Sequence, residues 1–182
     1  MIKIFLVRHG KASSNWDEAL DPGLDEQGKK QSMDVADSFA AKVPIRIVSS
    51  PLRRARETSL PLSDLWNVKS VIDERISEIP TPHEFTNNRS QWLREVMQGN
   101  WPDQCKKLQD WRDRVVDAIQ SYDQDTVVFS HFIAINAIVG EALKKKNVIQ
   151  FLPDNGSITT ITVHHRKISL VEKGEESVTL IG

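Results

Sequence analysis

Three short apolar runs of this sequence each end in side chains that handle charge. The first, IFLVRHG (residues 4–10), stops at Arg8, His9 and Gly10. The second, IRIVSSPLRRARET (45–58), ends at Ser49-Ser50 and soon reaches Arg53, Arg54 and Arg56. The third, TVVFSHF (126–132), ends at Ser130-His131. Two arginines and two histidines, with no obvious carboxylate in the same motifs, make a poor metal site. They make a good phosphate site, because guanidinium forks grip phosphate oxygens two at a time. A single histidine after a strand is commonly structural, and Arg53, Arg54 and Arg56 alone would read as a solvated helix face. The recurrence of one arrangement at three strand ends points instead to one anion pocket.

For these residues to meet, their strands must lie in one sheet and point the same way. Ile2 to Val7, Ile45 to Val48, Thr126 to Phe129 and Ser157 to Val163 are rich in apolar and β-branched residues and read as strands. A fifth, Lys167 to Val171, follows the fourth through a turn at His165-Arg166. The first three are continuously apolar, as expected of strands covered on both faces. Helical patterns alternate with them. Asp25 can cap a helix carrying Met33, Val35, Ala36 and Phe39. Arg53 to Leu60 starts just after Pro51. About Asp103 to Tyr122 has Leu108, Trp111, Val115, Ile119 and Tyr122 at helical spacing, and Phe132 to Leu143 is apolar nearly all round. The alternation predicts an α/β fold: a three-layer α/β/α domain with a mostly parallel central sheet and a C-terminal antiparallel hairpin. In such a sheet the carboxyl ends share one edge, which is where ligands bind. Helix N-termini there add N–H groups that favour an anion.

The 182 residues are expected to form one domain, 1–182. An irregular insertion at about 73–102, with three prolines, His83, Phe85, Trp92 and Trp101, is expected to form a lid over the pocket. Its aromatics are read as the segment's own packing core. A net charge of −1 gives no footprint for nucleic acid or an anionic membrane. Cys105 is the single cysteine, which excludes an intramolecular disulfide or a multi-cysteine metal site. No secretory signal or apolar run of membrane-spanning length occurs, so a cytoplasmic location is expected.

The motifs together resemble the histidine phosphatase superfamily, also called the phosphoglycerate mutase-like family. VRHGKASSNW resembles its first motif, with Asn15 where the family often has a phosphate-contacting asparagine. LDEQGKKQ (24–31) resembles the start of its first helix, and SSPLRRARET (49–58) its second motif, in which Arg54 is the phosphate ligand. VVFSHF resembles the strand before the second histidine, His131, and PDNGSITTI (153–161) the entry to the final strands. The resemblance implies that His9 is a nucleophile forming a phosphohistidine that water hydrolyses. It implies that Arg8, Arg54 and His131 hold the phosphoryl oxygens, and that neither metal nor cofactor is needed. The general acid falls on Glu78 in DERISEIPTPHEF, with Glu74 and Glu84 as alternatives, although the usual glycine after it is replaced by Pro80-Thr81-Pro82. Phe132 stands where the family often has glycine, and Lys11 where its mutases commonly have glutamate. Lys11 is read either as a contact to a second anionic group or as a surface lysine, and His164 and His165 as exposed turn residues.

The leading expectation is a metal-independent phosphatase acting on a small phosphorylated metabolite or a phosphoprotein. Mutase-type phosphoryl transfer, a phosphohistidine-protein phosphatase and a non-catalytic phosphate-binding module are the alternatives.

Overall fold

A computed structural model describes residues 1–14 and 21–177, the side chain of Asn87 excepted. Among these residues a single sheet contains β1 (Ile2–Arg8), β2 (Arg46–Ser49), β3 (Val71–Ile72), β4 (Thr126–Ser130), β5 (Ile158–His164) and β6 (Lys167–Glu172), in the order β3-β2-β4-β1-β5-β6. The pairs β2–β3, β2–β4 and β1–β4 are parallel, while β5 runs antiparallel to both β1 and β6. The predicted hairpin is therefore present, closed by His165 and Arg166 at φ 48° and 61°. Paired positive φ values belong to the turns whose twist suits a two-residue hairpin.

Because successive strand residues point to opposite faces, the apolar runs feed two cores. Ile4, Leu6, Val48 and Val128 join one; Val7, Ile47, Val127 and Phe129 join the other. Helices α1 (Glu26–Ser38) and α2 (Arg53–Trp66) cover the second face through Val35, Ala36, Ala55, Leu62 and Trp66. Helices α3 (Arg89–Gln98), α4 (Lys106–Ser121) and α5 (Phe132–Leu143) build the first. The result is the expected three-layer α/β/α architecture. No helix among the described residues is long and apolar enough to cross a membrane.

Several boundaries differ from the sequence reading. Asp25 does cap α1, its Oδ1 accepting from Gly28 N at 2.7 Å. Helix α2 does not stop at Leu60; it continues through Pro61, with Leu62 and Trp66 buried beyond it. Packing of those two outweighs the one backbone hydrogen bond that proline forgoes. The segment 73–102 is less irregular than expected. Between 3₁₀ turns at Glu74–Ile76, His83–Asn88 and Trp101–Asp103 it carries α3, whose Trp92, Leu93, Val96 and Met97 are buried in the main core. Trp92 and Trp101 are packing residues, and Phe85 stacks on Trp92 at 5.9 Å. Strand β3 is only two exposed residues long and leaves no readable pattern.

Candidate active site

Register brings the three strand ends level. Arg8 pairs with Ser130 and Ser49 with Phe129, so residues 8–9, 49–50 and 130–131 emerge side by side at one sheet edge. Backbone bonds continue past the strands, with His9 N donating to Ser130 O and Ser50 N to Phe129 O. The loop before β5 closes on the first strand end: Arg8 N donates to Ser157 O, Gly156 N to Arg8 O, and Asn155 Nδ2 to His9 O at 2.9 Å.

Helix α2 holds the following turn. Thr58 Oγ1 accepts from Gly10 N at 3.0 Å and donates to Arg54 O at 2.6 Å. Helix α1 presses on the same turn from the other side. A Cβ added at Gly10 would stand 2.5 Å from Gly28 O, and one at Gly28 only 2.1 Å from Lys11 O. Both glycines are present because two backbones touch there.

The imidazole of His9 is fixed in one orientation. Its Nδ1 lies 2.7 Å from Gly10 O, an atom that only accepts, so the proton sits on Nδ1. Nε2 then carries the lone pair and receives Arg54 Nε at 3.1 Å. His131 packs 5.1 Å away, centroid to centroid, with Nε2 2.7 Å from Ser50 Oγ. Burial, then Arg54 and Arg8, push His9 well below the ordinary imidazole range. Burial, Arg54, His9 and Arg8 do the same to His131, so both rings are neutral at physiological pH. Burial brings the Arg8 guanidinium down to about 10, still a cation at neutral pH.

Arg8 Nη1 donates to Pro153 O at 2.8 Å, and its guanidinium carbon lies 5.0 Å from the Phe132 ring centroid. The phenyl ring in place of glycine thus forms a cation–π wall beside Arg8. Glu78 is buried in the same cluster. Its two oxygens accept from Ile79 N at 3.0 Å and from Ile133 N, in the first turn of α5, at 3.3 Å. Burial raises its proton affinity, opposed by those N–H groups and by Arg54 and Arg8. The alternatives Glu74 and Glu84 are exposed.

The structure therefore brings Arg8, His9, Arg54, Glu78 and His131 together, while Asn15 lies outside the described residues. Arg53 and Arg56 face solvent, the former paired with Glu57 at 2.6 Å. Lys11 turns toward α1, 3.5 Å from Asp25. His83, His164 and His165 are exposed. Sequence reasoning missed Ser50, Thr58 and Asn155 as supports, because their signal is only a hydroxyl or amide inside an already recognised motif. A cavity of about 550 Å³ opens between α1 and the 172–175 segment, but none of the five clustered residues lines it.

A largely parallel α/β sheet whose carboxyl edge carries two arginines, two neutral histidines and a buried carboxyl group defines a protein that handles phosphate esters. The chain belongs to the histidine phosphatase superfamily (branch 1), whose family model matches residues 4–176. It is an enzyme that hydrolyses phosphate esters. It is 28% identical to a putative phosphoserine phosphatase 2 of Hydrogenobacter thermophilus, with 94% of each chain covered. It is 25% identical to a probable phosphoglycerate mutase GpmB of Escherichia coli, over 79% of this chain and 75% of that one. Among solved structures, a phosphoserine phosphatase from Entamoeba histolytica in complex with 3-phosphoglyceric acid superposes with a TM-score of 0.77 at 21% identity, all of both chains being covered. At that identity the likeness concerns the fold.

Proposed function

We propose that this protein is a metal-independent phosphomonoesterase that works through a phosphohistidine on His9. The observation that carries the reading is the locked imidazole: Nδ1 is committed to Gly10 O, and Nε2 keeps its lone pair beside a phosphate-binding guanidinium. In the first step Nε2 bonds to phosphorus while the ester oxygen leaves, taking a proton from Glu78. In the second, Glu78 accepts a proton from water, the water oxygen bonds to phosphorus, and the P–N bond breaks to release His9 and inorganic phosphate. Arg8, Arg54 and His131 hold the non-bridging oxygens and supply the positive field of the transition state.

Among the described residues, Arg8 Nε and His131 Nδ1 are buried without hydrogen-bond partners. Orphaned polar atoms of this kind mark a site whose ligand completes them. The helical 73–102 segment beside the cluster favours a small phosphorylated metabolite over a phosphoprotein. Acid-labile, alkali-stable phosphate on the protein after a rapid quench, absent in His9→Ala, tests the intermediate. A competent enzyme without it, or with label retained in His9→Ala, would sink the reading. The likeness to probable mutases supports a second reading, phosphoryl return to another hydroxyl of the substrate. Isomerisation of 3-phosphoglycerate in the presence of bisphosphoglycerate, faster than its hydrolysis, would put that reading first.

A further inference from the structure

We propose that Ser50 is a positioning residue that fixes the tautomer of His131 and so makes that ring a hydrogen-bond donor to the phosphoryl group. The inference deepens the phosphomonoesterase reading above and rests on it. Ser50 stands just past β2 and is fully buried. Its backbone is held at both ends: its N donates to Phe129 O, and its O accepts from Ser49 Oγ at 2.9 Å. Among the described residues its hydroxyl has two neighbours at hydrogen-bond distance. Leu52 N lies at 3.3 Å and His131 Nε2 at 2.7 Å.

The hydroxyl has one proton to give. Leu52 N can only donate, so the acceptor is His131 Nε2, and the ring proton then sits on Nδ1. This arrangement leaves one polar group open, the Nδ1–H of a fully buried ring. The opposite tautomer would leave two, because Ser50 Oγ would receive two donors while its own proton found no acceptor. A buried donor without a partner is costly, so the tautomer with fewer open groups is favoured. The group that stays open is a donor, and phosphoryl oxygens only accept. An imidazolium would strand the Ser50 proton in the same way.

The two imidazoles, 5.1 Å apart, thereby take opposite polarity. Gly10 O keeps the His9 proton on Nδ1 and leaves Nε2 a lone pair. Ser50 Oγ occupies the Nε2 lone pair of His131 and leaves Nδ1 a proton. The hydrogen bond made by one ring nitrogen decides the role of the other. One ring is prepared to attack phosphorus and the other to hold its oxygen.

Long-range ¹H–¹⁵N correlation spectra of the imidazoles test this, with His131 assigned from the signals lost in His131→Asn. In the wild type, Nδ1 of His131 should show the shift of a protonated nitrogen and Nε2 that of an accepting one. Inorganic phosphate should shift the Nδ1 signal. Ser50→Ala should lose the tautomer preference, and Ser50→Thr, which keeps the hydroxyl, should restore it. The kcat of Ser50→Ala should fall about tenfold, short of the loss of about 10²–10³ for a donor removed outright, since the ring still reaches its donor form. A protonated Nε2 in the wild type, or an unchanged tautomer in Ser50→Ala, would overturn the assignment. The spectra need no turnover, so failure of the wild type to hydrolyse nitrophenyl phosphate would count against the phosphomonoesterase reading alone.

Discussion

Arg54 Nε donates to His9 Nε2 across 3.1 Å, joining residues 45 positions apart in the chain. The guanidinium shields the imidazole lone pair and disfavours its protonation, second only to burial. Arg54→Ala should therefore raise the proton affinity of His9 toward the ordinary imidazole range. It should also lower kcat by about 10²–10³, the usual loss when one transition-state donor is removed. Imidazole ¹⁵N chemical shifts across pH, read with steady-state kinetics, check both. An unmoved His9 titration would deny the coupling.

Glu78 is expected to matter in proportion to how badly the leaving group needs a proton. Glu78→Gln should cut turnover of alkyl phosphates by about 10²–10⁴ while sparing nitrophenyl phosphate, whose phenolate leaves unaided. Equal small losses on both substrates would remove Glu78 from the role of acid.

The pH dependence of stability follows from groups whose shifts oppose one another. His9 and His131 have folded proton affinities well below the ordinary value of 6.5. Below about pH 6.5 the unfolded chain takes up protons that the folded one refuses, so their contribution is complete above that pH and is lost on acidification. Glu78 acts the other way, since its folded value is raised above 4.5. Its contribution declines as pH climbs from 4.5 through the folded value. Urea midpoints between pH 7.5 and 5.5 should fall with acidification in the wild type, and less steeply in His131→Asn. Parallel slopes in the two proteins would contradict the assignment of His131 as a neutral buried ring.

Contact between α1 and the turn after His9 leaves no space for a side chain. Gly28→Ala would put Cβ 2.1 Å from Lys11 O. The backbones must part, at about 1–3 kcal/mol, and the shift passes to Gly10 O, which orients His9. Thermal denaturation and kcat should fall together. A variant of full stability and full activity would mean that the turn is not held by this contact.

Phe132 gives a milder test of the cation–π wall. Its ring lies 5.0 Å from the Arg8 guanidinium carbon. Phe132→Leu keeps an apolar residue in the first turn of α5 but removes the face that attracts the cation. Inorganic phosphate should inhibit this variant with an affinity changed by less than about thirtyfold, since such contacts contribute about 0.5–2 kcal/mol. A larger loss would indicate that the ring also positions His131.

The α/β alternation and the chemistry-bearing strand ends were legible because each depends on local pattern. Continuous apolar runs mark strands buried on both faces; Arg8, His9 and His131 stand at the ends of such runs, and Arg54 follows one after a short turn. Asp25 was readable as a cap for the same local reason. Helix α3 was harder to see, since its ten residues lie between prolines and polar turns, and its spacing of Trp92, Leu93, Val96 and Met97 has little length over which to repeat.

Long-range relationships were decided only by the fold. Three carboxylates in one segment, Glu74, Glu78 and Glu84, look alike in sequence; the fold buries Glu78 against the first turn of α5 and leaves the others in water. Which nitrogen of His9 is free depends on Gly10 O and on Arg54. The sequence by itself determined that this chain gathers cations at one edge of a sheet. Tertiary structure decided the protonation, tautomer and charge balance of that edge, because those depend on burial and on neighbours distant along the chain.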